Sequence, residues 1–188
     1  FLSLLSFLAF GKELAVASYR LFHNFHFIHI LFAATGAMLT FRRFSKNIFA
    51  GIAIGMTVPA FFCTISDAFL PYLGGRMIGL DMHFHWCFMS HLSVVVPFLI
   101  VGMINGWAIS KHATNLHLFY SLGFHCMHIF ISSMASILYL VSFGFTNWWS
   151  HMGVVFMYII FAVLIPCTLS DLVVPMMVAR PLWRPKKP

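Results

Sequence analysis

Five apolar stretches, each about 20 residues or longer, follow one another in this chain with only short charged or glycine-containing links between them. That length crosses a hydrocarbon core of about 30 Å. Inside it every backbone N–H and C=O must find a partner within the protein, which a helix provides locally. The chain therefore reads as an all-α polytopic membrane protein: a bundle of five transmembrane helices with a short N-terminal apolar segment. Composition agrees, with 61% hydrophobic and 8% charged residues against about 25% charged in soluble domains. In 188 residues no room is left for a separate soluble domain.

The predicted spans are 19–41, 47–73, 84–109, 115–143 and 150–174, followed by a basic, proline-rich tail at 175–188. Residues 1–10 are too few to cross unaided and are expected to form a re-entrant or surface helix. Pro59, Pro97 and Pro166 interrupt spans tolerably, because neighbouring helices can satisfy the freed carbonyls. No internal repeat or low-complexity segment is apparent. The +7 formal charge gathers at span ends: Arg42, Arg43 and Lys46, then Lys111, then Arg180, Arg184, Lys186 and Lys187. Such clusters are topology signals and exclude a nucleic-acid surface. The positive-inside rule places the N-terminus outside and the C-terminus in the cytoplasm of a bacterial or archaeal inner membrane, or an equivalent bilayer. Trp86, Trp148 and Trp149 suit an interfacial belt.

Within these spans the eleven histidines are the residues that need explaining. An imidazole in hydrocarbon carries a donor and an acceptor, and polar groups at that depth are costly enough to mark function. Span 1 carries His23, His26 and His29 at intervals of three. His83, His85 and His91 precede or enter span 3. His112 stands just before span 4, which carries His117, His125 and His128, and His151 opens span 5. By depth His29 and His128 fall near mid-membrane. His23, His26, His83, His85, His91 and His151 fall in the half nearer the N-terminus, and His112 and His117 toward the cytoplasm. His83, His85, His112 and His117 are expected at the interface or in solvent.

Two chemistries suit the deeper set. Haem b takes axial imidazoles from facing helices within an aromatic-lined slot, and this chain is 18% aromatic. His29 with His128 matches for one haem, and His23 or His26 with His91 for a second. His125 is a further candidate, and Arg20 or Arg76 could meet propionates. Alternatively a non-haem Cu, Fe or Zn ion could bind one carboxylate and several imidazoles. Asp67 with His29, His91, His128 and His151 is that candidate set. Asp171, near a helix end, is expected to pair with Arg180. Cys63, Cys87, Cys126 and Cys167 form no CxxC pair and read as small buried apolar residues.

The segment "RLFHNFHFIHILFAATG" at 20–36 resembles the first haem-binding helix of membrane b-type cytochromes. "LHLFYSLGFHCMHIF" at 116–130 resembles the histidine-bearing helix of formate dehydrogenase gamma subunits, and "SHMGVVFMYIIFAVLIPCTLSDLVVPM" the last span of nitrate reductase gamma subunits. That resemblance implies a haem b membrane subunit of an electron-transfer oxidoreductase complex, with quinone and further subunits as partners beside the lipid bilayer. A metal-dependent membrane enzyme with an outward-facing Asp/His site, or a metal or proton transporter, is the alternative reading. The fifth span departs from the resemblance, with one histidine and Ser170-Asp171 where a second ligand would stand.

Overall fold

The computed structural model describes residues 2–84, 86–112 and 117–182, with side chains described for 14–84, 86–111 and 122–181. His85 and the side chains of His112 and His117 lie outside the described residues. Among the described residues every element is helical, and five helices are long and apolar enough to cross a membrane. They are α1 (Leu2–Phe44), α2 (Ile48–Met77), α3 (Leu92–His112), α4 (His117–Ser142) and α5 (Trp148–Ala179). The outward faces of the bundle are apolar: Phe61, Ile104, Phe130, Phe156, Phe161 and Ile165 are all exposed. In water a patch of this extent would drive aggregation, whereas in lipid it matches the solvent.

Helix α1 forms the core of the bundle. Phe22, Ala33, Ala34, Ala37 and Phe41 are fully enclosed on it. Its neighbour α4 runs antiparallel to it, as Phe22 packs on Tyr139, His29 on His128 and Phe32 on Phe124. Against α3 the approach is backbone to backbone. A Cβ on Gly102 would strike the Leu31 carbonyl oxygen and come within 2.8 Å of the Ala34 Cβ, and one on Gly106 would meet the Thr35 carbonyl oxygen. Thr35 Oγ1 bridges the seam, lying 2.9 Å from Leu31 O and 3.1 Å from Gly102 O. Small residues with hydroxyl bonds are how helices associate in lipid, where no hydrophobic drive exists between them. Gly102→Val is expected to lower stability by about 1–3 kcal/mol through overpacking. Thermal unfolding in detergent checks this, and an unchanged midpoint would contradict the close seam.

Two expectations require correction. Residues 2–10 do not form a separate re-entrant segment, since the helix of α1 is continuous from Leu2 to Phe44. Span 3 begins later than its apolar run: residues 78–86 are not helical where described, a single turn spans Cys87–Ser90, and α3 starts at Leu92. Phe84 instead packs edge-on against Phe69 and Trp86, and Tyr139 Oη donates to the His83 carbonyl at 3.1 Å, which pins this link across the bundle.

Helices α2 and α5 share one device. In each, a π-helical turn interrupts the α register, at Ile65–Phe69 and at Leu169–Val173. The Leu70 N–H bonds Ile65 O and the Val174 N–H bonds Leu169 O, five residues back. Proline causes the widening: Pro71 and Pro175 each stand four residues after an aspartate, where an α register would drive the ring into that aspartate's carbonyl. Having no N–H, Pro71 leaves Ser66 O unpaired in the wider register, and Ser136 Oγ donates to it at 3.1 Å. The flanking sequences match as well, Cys-Thr-Ile-Ser-Asp at 63–67 and Cys-Thr-Leu-Ser-Asp at 167–171. This is an internal repeat, against the expectation that the chain has none. It continues in the partner helices as His-x-x-His, His26/His29 on α1 and His125/His128 on α4.

Candidate metal centre

Each π turn aims its aspartate at the paired histidines of its partner helix, and the two assemblies meet at mid-bundle. In the first, the Nδ1–H groups of His26 and His29 donate to Asp67 Oδ2 at 2.8 and 2.6 Å. Asp67 Oδ1 accepts from Ser132 Oγ at 2.6 Å and Ser66 Oγ at 2.9 Å. In the second, His128 and His125 donate from Nδ1 to Asp171 Oδ2 at 2.5 and 3.4 Å. His26, His29, Asp67 and His128 are wholly enclosed, and Asp171 is 1% exposed. Isolated carboxylates at this depth would be prohibitively costly; two imidazole donors on each offset that cost.

The carboxylates fix the tautomers. With Nδ1 held by the carboxylate, Nε2 is the nitrogen left to bind a metal, the arrangement in which a carboxylate orients a metal-binding imidazole. His29 Nε2 faces two thiols, Cys63 Sγ at 3.7 Å and Cys167 Sγ at 3.6 Å. His29, Cys63 and His128 each offer a ligand atom within 4.8 Å of the others, and the His29 and His128 rings lie 4.3 Å apart. Among the described residues no hydrogen bond reaches His26 Nε2 or His128 Nε2.

Distances separate the roles. Two ligand atoms on one tetrahedral ion stand about 3.3 Å apart for nitrogen and oxygen, and about 3.5 Å apart for nitrogen and sulfur. The shortest imidazole–carboxylate pairs, 2.5–2.8 Å, are too close for shared ligation and are hydrogen bonds. The imidazole–thiol pairs, at 3.6–3.7 Å, fit the spacing of common ligands as well as that of thiol–imidazole hydrogen bonds.

The two halves are not equivalent. Aligning His26 and His29 with His125 and His128 sets Ala33 against Ser132 and Ala37 against Ser136. Ser132 and Ser136 serve the first aspartate's turn, and alanine supplies nothing to the second. Asp171 Oδ1 and Ser170 Oγ accordingly lack hydrogen-bond partners among the described residues. Space is made for Asp171 by Gly36, on which a Cβ would lie 2.8 Å from Oδ2. Ser132→Ala is expected to destabilise the protein by about 1.5–3 kcal/mol, the range for a bond to a charged acceptor. Ala33→Ser should not. Paired denaturation curves of the two variants check the contrast.

Of the residues singled out in the sequence, His26, His29, His125, His128 and Asp67 gather here. His23 and His91 do not; they pack on one another one turn away, at 5.1 Å and 84°. His151 donates to Asn147 O at the start of α5. Arg20 is exposed and Arg76 pairs with Asp81 at 3.0 Å. Asp171 binds histidines rather than Arg180, because α5 runs on to Ala179 and carries the aspartate into the interior. Cys63 and Cys167 are buried as expected and in addition face His29 Nε2, whereas Cys126 is exposed, against the expectation of burial. An iron held by two imidazoles through bonds of about 2 Å would space their ring centres on the order of 6 Å, with a porphyrin plane between. The ring centres of His29/His128 and of His23/His91 stand closer than that, at 4.3 and 5.1 Å. No family model, curated protein or solved structure matches this chain.

Proposed function

We propose that this integral membrane protein is built around a buried transition-metal centre, in which one divalent ion of zinc type is held by His29, His128, Cys63 and Cys167. Asp67 and Asp171 orient the two imidazoles, and His26 and His125 share those carboxylates. The observation that carries the reading is the convergence of two thiols, at 3.7 and 3.6 Å, on the second nitrogen of an imidazole whose first is committed to a carboxylate. A ligand set of two nitrogens and two sulfurs favours zinc over magnesium or calcium. The chain's part is to turn Nε2 of each imidazole toward the centre, to bring the donors together in the buried interior and to supply the counter-charge. Arg42, Arg43, Lys46 and Lys111 at one end of the bundle suit a cytoplasmic placement of that end.

Elemental analysis of the purified full chain tests the reading together with its pyridine haemochrome spectrum. One equivalent of a divalent transition metal without porphyrin is expected. A stoichiometric b-type absorption band, as the haem-subunit resemblance implies, would displace it.

A further inference from the structure

The repeat relates α1–α2 to α4–α5, and the relation is an inversion. Helix α1 is antiparallel to its counterpart α4. On α1 the chain passes His26 before His29, and on α4 His125 before His128, so His29 and His128 meet at the centre while His26 and His125 point to opposite ends. Asp67 and Asp171 follow, each one turn beyond its central cysteine in its own direction. Such inverted halves, with ligands on interrupted helices at mid-membrane, are the geometry from which alternating access is built: one half rocks against the other about a fixed site.

Ligand atoms also continue beyond the centre on both sides. Toward the N-terminal end of α1 they run through Asp67 and His26, with His23, His91 and Cys87 beyond; Cys87 Sγ is 3.9 Å from His23 Nε2. Toward the other end they run through His128 to Asp171 and His125. A site whose only task is to retain an ion needs no donors leading away from it in both directions. The second half is also the more loosely tied, with Asp171 Oδ1 and Ser170 Oγ unpartnered among the described residues and the His125 side chain 11% exposed.

We propose that the ion is cargo: the protein carries divalent transition-metal ions across the membrane, with Asp67/His26 and Asp171/His125 as the stations on either side of the His29–His128–Cys63–Cys167 centre. This rests on the metal reading given above. The arrangement described is then the occluded state, its central donors shut off from both ends.

The test uses the full chain reconstituted in liposomes that enclose a zinc-sensitive dye, with Zn²⁺ added outside and equilibrium zinc binding measured on the same preparation. Saturable zinc entry is expected. His26→Ala and His125→Ala should each reduce it by about tenfold or more, the scale at which supporting metal contacts act. Equal sensitivity at both ends is the signature of a through path. Cys126→Ser, at an exposed position outside the ligand set, should leave entry unchanged. Stoichiometric zinc binding with no entry above that of empty liposomes overturns transport and leaves the metal centre standing. Entry that survives His125→Ala overturns the two-station path. Failure to bind zinc removes the centre itself.

Discussion

Cobalt-loaded protein is expected to show intense near-ultraviolet absorption from thiolate-to-cobalt charge transfer, and Cys63→Ser and Cys167→Ser are each expected to cut it by about half. Cobalt takes zinc's place readily in N/S sites, and the band reports sulfur bonded to the metal rather than sulfur nearby. The structure puts both thiols at nearly the same distance from His29 Nε2, so the two substitutions should act alike and their combination should abolish the band. Serine keeps the volume of the side chain and replaces only the donor, so folding is little disturbed. Cys126 is exposed and Cys87 lies against His23, so their replacement should leave the spectrum as it is. If both central variants kept full intensity, the metal would not sit between the cysteines.

Asp67→Asn is expected to weaken metal binding by about 10–100-fold, the range for losing an orienting carboxylate. The size follows from what an amide cannot do. Asp67 accepts four hydrogen bonds, two from imidazoles and two from serine hydroxyls. An asparagine presents one accepting oxygen, and its NH₂ would face donors. Either one imidazole turns over or moves its proton to Nε2, which withdraws a lone pair from the centre, or the hydroxyls of Ser66 and Ser132 reverse to accept from the amide and give up their present bonds. Asp171→Asn should lose less, because Asp171 Oδ1 has no partner among the described residues that would clash with the amide. Competition with a chromophoric chelator measures both affinities. Equal losses would mean that the serines bound to Asp67 contribute nothing.

The five spans were legible because apolar length is read directly, residue by residue, and lipid permits only one backbone answer. The meeting of His29 with His128 was legible too, since both lie at mid-span at 1.5 Å per residue. The centre as a whole was not. Its repeat survives as scattered letters, His-x-x-His and Cys-Thr-x-Ser-Asp, inside runs of interchangeable apolar residues that dilute any similarity. Asp171 looked like a boundary residue because the tract seemed to close at Pro175, whereas the π turn lets α5 absorb that proline and continue. Cys63 and Cys167 sit on different helices with no neighbouring motif, so nothing local distinguishes them from packing. The late start of α3 was hidden by Phe84 and Trp86, which read as apolar length while they pack against one another in the link.

The seam between α1 and α3 also has a consequence for how such a sequence can drift over generations. At Ala34, Thr35, Gly102 and Gly106 the two backbones nearly touch, so almost any exchange adds atoms where none fit. The lipid-facing phenylalanines and isoleucines of α2 and α5 can trade places freely with other apolar types. Lineages of this protein should therefore diverge quickly around the rim while a narrow ribbon of the smallest residues stays fixed. That ribbon, more than any span's overall hydropathy, would be the trait by which distant descendants are recognised.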